Sequence, residues 1–385
     1  MGILMGDKEV HNEKPHIHVC LVSEQPIPNL TTVLQFKPDE VILLESKEKK
    51  ERARLLENLI RKKNIKVSSE EIEPYNINSV IKVSESLINK FKDCKVTLNI
   101  TGGTKISTLG TFQAFYTAGK SIYYVDTENN RIIPLYSEGE PDRIDINVSI
   151  SITDYLAVYG FQIESFVEDD RYIFERKDLT EYLARTVIYS PRIIPDINGQ
   201  LHKFNEKSPL PVIVEFPEDT IKFTSMLKGV KQKDGKKIEI NDHNSLMYLK
   251  GVWFEEYVYM TAKSLDPAEI KLNVKGKWHP TGRNSPRNEF DIMLSKRNRL
   301  YYISCKTANP DRKGGDDEEG VGKEFLYELV SLSDRALGLF GKRMLVSARQ
   351  VSDPAVRKRA EILNVDLIDG RNIATLKDNL RQWLR

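Results

Sequence analysis

The stretch NEFDIMLSKRNRLYYISCKT, residues 288–307, decides how this chain is read. In its two halves Ile292, Leu294, Ile303 and Cys305 alternate with more polar neighbours, and Lys296–Arg297–Asn298–Arg299 supplies a basic turn between them. That pattern predicts the two strands of a hairpin. A turn centred on Arg297 and Asn298 sets Asp291 opposite Ser304 and Glu289 opposite Lys306. Period-two alternation then gathers all four side chains on one face. Two carboxylates and a lysine on one strand face suit a divalent cation and an anionic substrate, which points toward phosphodiester chemistry.

The 385 residues leave room for two or three domains at about 100–200 residues each. A composition of 40% hydrophobic and 30% charged residues is that of a soluble globular protein, and a net charge of only +2 means that any electropositive surface must be local. Cys20, Cys94 and Cys305 are far apart and form no CxxC pair, which argues against a disulfide framework or a zinc site and for a reducing compartment. No apolar run approaches the roughly 20 residues of a membrane span. The opening MGILMGDKEVHNEKP lacks the apolar centre of a signal peptide. The expectation is a cytoplasmic protein without membrane association, residues 1–14 forming a frayed tail.

Working outward from the hairpin, the chain divides into three parts. Residues 1–150 alternate strand with helix: strands at His16–Val22, Glu40–Leu44, Ile65–Ser68, Val96–Ile100 and Ser121–Val125, with helices at Lys47–Lys63, Ile77–Phe91 and Ile106–Ala118 and a short helix after the first strand. Such alternation predicts parallel βαβ units and a Rossmann-like sheet. Residues 151–243 are less regular, with Pro191, Pro195, Pro209, Pro211 and Pro217 and a lysine-rich turn at Lys231–Lys237. They read as a connecting region, conceivably a winged-helix-like insert. Residues 244–385 open with a long helix, about Asn244–Leu265. The hairpin, an acidic Gly-rich loop (Asn309–Glu319), a helix, strands at Arg343–Ser347 and Val365–Ile368 and a last helix complete an α/β domain.

Between a predicted strand and a predicted helix lies Thr101–Gly102–Gly103–Thr104–Lys105. Glycines allow close backbone approach to a ligand, and a helix N-terminus presents free N–H groups to an anion. The loop Ser23–Glu24–Gln25 follows the first strand and opens onto the same carboxyl edge of the sheet, where ligands of such folds bind. Neither the dinucleotide fingerprint nor the Walker loop is present. Residues 16–150 resemble the CARF (CRISPR-associated Rossmann fold) domain, whose Gly-rich turn after the fourth strand matches Thr101–Lys105 and whose polar loop after the first strand matches Ser23–Gln25. The resemblance implies a homodimer that binds a cyclic oligoadenylate, most often cyclic tetra-adenylate, across its two-fold axis.

The C-terminal part resembles the PD-(D/E)xK nucleases, which place a helix glutamate, then an aspartate on a strand, then (D/E)xK on the next. Glu255 matches the helix acid, following Phe254 in a G-x-x-F-E pattern, with Glu256 in reserve; Asp291 and Lys306 match the strand positions. The resemblance implies Mn²⁺ or Mg²⁺ held by Asp291 and Glu255, with Lys306 orienting water or stabilising the transition state, and the Cys305 backbone carbonyl is a further candidate ligand. One departure stands out. The (D/E)xK carboxylate falls on Ser304, so Glu289 either supplies the missing carboxylate or merely neutralises Lys306. Flanking Lys275, Lys277, His279, Arg283, Arg287, Arg297 and Arg299, with Trp278 among them, could follow a nucleic-acid backbone and stack a base, though Arg297 and Arg299 read better as a solvated turn. Glu324 and Glu328 on the next helix could reach the site, though helix surface is the better reading. Together the two resemblances imply a type III CRISPR effector, a metal-dependent nuclease for DNA and/or RNA switched on by cyclic oligoadenylate. A non-catalytic sensor that grips nucleic acid, or a ring nuclease degrading its own activator, remain open.

Overall fold

The computed structural model describes residues 14–137, 139, 141–216, 227–233, 235–279, 287–312 and 321–385. Most of the expected N-terminal tail, Pro217, Asp234 of the lysine-rich turn, Arg283 and the acid run Asp316–Glu319 lie outside them. The chain forms two compact units, residues 1–150 with 157–159, and residues 151–156 with 160–385. Among the described residues no helix is long and apolar enough to cross a membrane.

In the first unit, β1 (His16–Leu21), β2 (Glu40–Glu45), β3 (Lys66–Glu71), β4 (Lys95–Asn99) and β5 (Ser121–Asp126) pair in the order β3-β2-β1-β4-β5, all parallel. The crossovers carry α1 (Ile27–Phe36), α2 (Lys50–Lys62), α3 (Ile77–Lys90) and α4 (Lys105–Thr117). Central strands covered on both faces need continuous apolar runs, and Val19–Leu21 and Ile42–Leu44 are fully buried. Beyond β5 two antiparallel strands, β6 (Arg131–Tyr136) and β7 (Ile144–Asp145), extend the sheet where the sequence reading ended it. Pro134 lies in β6, and a proline within a run hides a strand from pattern reading.

In the second unit β8 (Phe161–Ser165), β12 (Glu269–Trp278), β13 (Asn288–Lys296) and β14 (Arg299–Lys306) are antiparallel; β15 (Lys342–Ser347) and β16 (Val365–Asp369) continue parallel from β14. The predicted hairpin is present. Arg297 (φ 52°) and Asn298 (φ 56°) make the two-residue turn that matches strand twist, and Ile292 pairs with Ile303. Residues 160–243 do more than connect. Among the described residues they contribute the edge strand β8, three helices and a three-stranded sheet of β9 (Val212–Glu215), β10 (Val230–Gln232) and β11 (Lys237–Ile240), and their apolar side chains share one core with the large sheet.

The long helix expected at Asn244–Leu265 is broken. A short helix, His243–Met247, leads through a wider turn over Tyr248–Val252 into a helix at Trp253–Lys263, with Gly251 out of helical geometry. A Cβ on Gly251 would sit 3.1 Å from Thr307 Oγ1, so the break brings this segment against the end of β14. The apolar pattern runs through unbroken, which is why the sequence does not reveal it.

His18 is fully buried between Thr97 Oγ1 (2.7 Å from Nδ1) and Thr32 Oγ1 (2.9 Å from Nε2). Burial, then the neighbouring His16, lowers its pKa from 6.5 to about 3. Between those values the unfolded chain binds the extra proton, so this contribution to stability is lost as pH falls through the window, at up to ~1.4 kcal/mol per pH unit. Denaturant titrations at decreasing pH should therefore show a steeper loss for the wild type than for His18→Gln. Parallel losses would show that His18 is not the sensor.

Candidate active site and ligand cleft

β13 and β14 part after the Ile292–Ile303 pair, and the parting creates the site. Beyond it the Cys305 N–H lacks a strand partner and donates instead to Asp291 Oδ2 at 2.7 Å; the Ser304 hydroxyl donates to the same oxygen at 3.1 Å. The N–H and C=O of one strand residue point to the same edge, so the Cys305 carbonyl also lies on the Asp291 side. Lys306 turns to the next strand, its carbonyl accepting from Ala348 N–H at 2.8 Å.

The Trp253–Lys263 helix brings Glu255 to Asp291. Burial first, then the charges of Asp291, Glu289 and Glu256, push the Glu255 carboxyl up to about 8, with Lys306 working against them. Burial likewise raises Asp291, opposed by Lys306 and by its bonds to Cys305 and Ser304. Two carboxyl groups that resist losing their protons together form a natural seat for a dication. Among the described residues no group of three or more His, Cys, Asp or Glu side chains converges as a metal cluster. The groups that could hold a cation here are Asp291, Glu255 and the Cys305 carbonyl, and one or two carboxylates with retained water would suit Mg²⁺ or Mn²⁺.

Burial opposes the charge on Lys306, but Asp291 and a 2.8 Å ion pair with Glu328 more than offset it, and its pKa is raised. Glu328 lies on the Val321–Ser333 helix, so one acid assigned to helix surface in fact orients the lysine. Glu289 does not face Lys306 as the extrapolated register required. β13 has left β14 there, and Glu289 pairs across β12 with Lys275 at 3.2 Å, half exposed. Its charge still reaches both Asp291 and Glu255. Glu256, the reserve acid, is fully buried and bound by the Arg176 guanidinium, which itself lies 4.2 Å above the Tyr248 ring. That pair belongs to the core. Lys277 and Arg287 both bind Glu164, and Trp278 packs edge-on against Phe161.

In the first unit the Gly-rich turn is built as the sequence suggests, but its threonines are structural. Gly103 has φ +85°, and a Cβ on Gly102 would lie 2.2 Å from the Leu21 carbonyl, so both positions require glycine. Thr104 caps α4 with Ser107 in a reciprocal pair, and Thr101 Oγ1 donates to Asn99 Oδ1 at 2.6 Å and accepts from Val125 N–H at 2.8 Å. A cleft of ≈ 310 Å³ opens at this edge, lined by Ser23, Gly103 and Thr104 and also by Ser46, Lys49 and Tyr75. Thr101, Gly102, Glu24, Gln25 and Lys105 are not among its lining residues. Glu24 is bound by Lys49 and Arg52, and Gln25 accepts from the Tyr159 hydroxyl at 2.9 Å. Ser46 and Tyr75 follow β2 and β3. The same carboxyl-edge rule applied to those strands would have found them.

Residues 17–155 match the family described as Card1 CARF domain, and residues 242–385 match Card1-like, endonuclease domain. Among solved structures, Can2 from Sulfobacillus thermosulfidooxidans in complex with cyclic tetra-adenylate aligns at TM-score 0.77 and 22% identity, covering 96% of this chain and 99% of that one. Protein VC1899 from Vibrio cholerae aligns at TM-score 0.84 and 23% identity, over 96% and 98%. A type III CRISPR defence DNA nuclease activated by cyclic oligoadenylate aligns at TM-score 0.57 and 18% identity; 89% of this chain spans 47% of that one. At these identities the structures establish a shared fold. No curated protein matches the sequence. With a CARF domain at one end and a Card1-like endonuclease domain at the other, the chain belongs to the CARF-domain endonucleases of the Card1 type.

Proposed function

We propose that this protein is a divalent-metal-dependent endonuclease of type III CRISPR defence, acting on DNA and/or RNA as a homodimer when cyclic tetra-adenylate occupies its CARF domains. The observation that carries the reading is the half-buried Asp291–Glu255 pair beside the charged Lys306. A bound Mn²⁺ or Mg²⁺ would supply an activated water and polarise the scissile phosphate. Asp291, fixed by its two hydrogen bonds, Glu255 and the Cys305 carbonyl would hold it. Lys306, aimed by Glu328, stabilises negative charge developing on the phosphate oxygens. Glu289 tunes this field from the rim, directly or through water.

The activator assignment draws on the cleft at the Gly-rich turn and on two structural neighbours. Can2 was solved with cyclic tetra-adenylate, and the type III CRISPR DNA nuclease is described as activated by cyclic oligoadenylate. Within the cleft, Lys49 would exchange its ion pair with Glu24 for a phosphate, and Tyr75, 80% exposed, offers a ring to a base. Helix α4 presents Ile106, Leu109 and Tyr116 outward, an apolar face that a second copy would cover. Activation follows if the ligand binds the cleavage-competent dimer more tightly than the resting one.

With Mn²⁺ and cyclic tetra-adenylate, the purified chain should cleave labelled DNA or RNA, and omission of either should abolish cleavage. Lys306→Ala and Asp291→Asn should each lower the rate by roughly 100-fold or more, and Glu289→Gln by about tenfold or less. Nucleic-acid binding without cleavage under every metal would overturn the reading in favour of a sensor. Tyr75→Ala and Lys49→Ala should raise the activator concentration for half-maximal cleavage about tenfold while leaving the saturated rate unchanged. Unaltered activation curves would place the ligand elsewhere.

A further inference from the structure

Two clefts run side by side along the carboxyl edge of the parallel strands β14, β15 and β16 in the second unit. The first, ≈ 540 Å³, is lined by Asn198, Lys250, Thr307, Arg312 and Arg349. The second, ≈ 510 Å³, is lined by Asp311, Ser352, Arg371 and again Arg349. Arg349 and Asn309 are common to both. The first cleft begins where the active site ends. Thr307 directly follows Lys306, and Lys250 lies one break before the helix that carries Glu255. Thr307 Oγ1 reaches the Lys250 carbonyl at 3.4 Å, and Asn198 donates to the Thr307 carbonyl at 2.9 Å, so the cleft floor is tied to the catalytic strand.

The charges along these clefts are unequal. Asp311 is occupied, its carboxylate accepting from the backbone N–H groups of Ser352 (3.0 Å) and Asp353 (3.3 Å), and Asp369 is buried and bound by Arg357. Lys250 donates to the Phe204 carbonyl but meets no carboxylate among the described residues. Arg349 is half buried, and its guanidinium has no hydrogen-bond or ion-pair partner among the described residues. Among the described residues the charge of Asp311 bears on this guanidinium without forming an ion pair, so its donors stay open to a ligand in either of the two adjoining clefts. Guanidinium suits phosphate by its planar fork of donors.

We infer that this groove is the track for the scissile nucleic-acid strand, with Arg349 gripping a backbone phosphate beside the one cleaved, and Arg312 and Arg371 following the strand to either side. The inference rests on the nuclease reading above and names the surface that holds its substrate. Arg349 is a positioning residue. It lies outside the Asp291–Glu255–Lys306 group and acts by binding the strand.

The test uses the full chain with cyclic tetra-adenylate, fluorescein-labelled single-stranded DNA, single-stranded RNA and duplex DNA. Anisotropy in EDTA reads binding without cleavage, and steady-state rates with Mn²⁺ read KM and kcat. Arg349→Ala should weaken binding about tenfold and reduce the salt dependence by roughly one phosphate contact. KM should rise with little change in kcat, and Arg349→Lys should restore part of the loss. Arg312→Ala with Arg371→Ala, both exposed and safe for folding, should weaken binding in the same direction. The ranking of the three probes identifies which strand the groove takes. Unchanged binding and KM in these variants, or no binding of any probe by the wild type, would overturn the groove even if the protein cleaves. Arg349-dependent binding with no cleavage under any metal would uphold the groove and overturn the nuclease reading instead.

Discussion

Two carboxyl groups, Asp291 and Glu255, lie half buried with the charge of Asp291 reaching Glu255, and much of the second unit is arranged to tolerate them. An uncompensated carboxylate out of water costs several kcal/mol, and a second one beside it costs more. The fold answers with the parting of β13 from β14, which frees the Cys305 N–H to bind Asp291. It answers also with Lys306, whose charge favours ionisation of both acids. Ser304 becomes intelligible in this light. A carboxylate at that buried position would add a third negative charge, whereas a hydroxyl donates to Asp291 and lightens the load. What remains is a pair whose ionisation burial opposes and a bound cation would favour.

The first unit uses a different device for the same purpose of rigid positioning. Beneath its Gly-rich turn runs a buried chain of hydrogen bonds. Asn99 donates to Asn29 Oδ1 at 2.9 Å and accepts from the Thr101 N–H at 3.0 Å, and Asn29 donates to the Leu21 carbonyl at 2.8 Å. Fully satisfied polar networks specify one arrangement because any slip strands a buried group. The turn is thereby fixed against β1, and the cleft beside it is ready before a ligand arrives.

Much of this was legible in the sequence, and the exceptions share a cause. The parallel strands β1–β5 and the hairpin turn at Arg297–Asn298 follow from local periodicity and turn chemistry, and the structure has them within a residue or so of the expected bounds except at the end of β3, which runs to Glu71 rather than Ser68. Asp291, Ser304 and Lys306 come together as expected because strand alternation fixes which face a side chain takes. What failed depended on partners distant in sequence. Glu289 was aligned with Lys306 by extending a ladder that in fact ends at Ile292–Ile303, and Glu328, on a helix, took its place. Glu256 differs from Glu255 by a single step around a helix, and only the position of Arg176 distinguishes the core ion pair from the site acid. The helix break at Gly251 owes its place to Thr307, more than fifty residues away. None of these leaves a trace in local pattern.

The central claim is that Asp291 and Glu255 together hold the catalytic cation. Crystals grown with Mn²⁺ and measured near its absorption edge would test it most directly. The account predicts an anomalous peak contacting both carboxylates and the Cys305 carbonyl, with Glu289 outside the inner coordination sphere. A peak seated between Glu289 and another group, or no peak at Asp291 under saturating Mn²⁺, would contradict it.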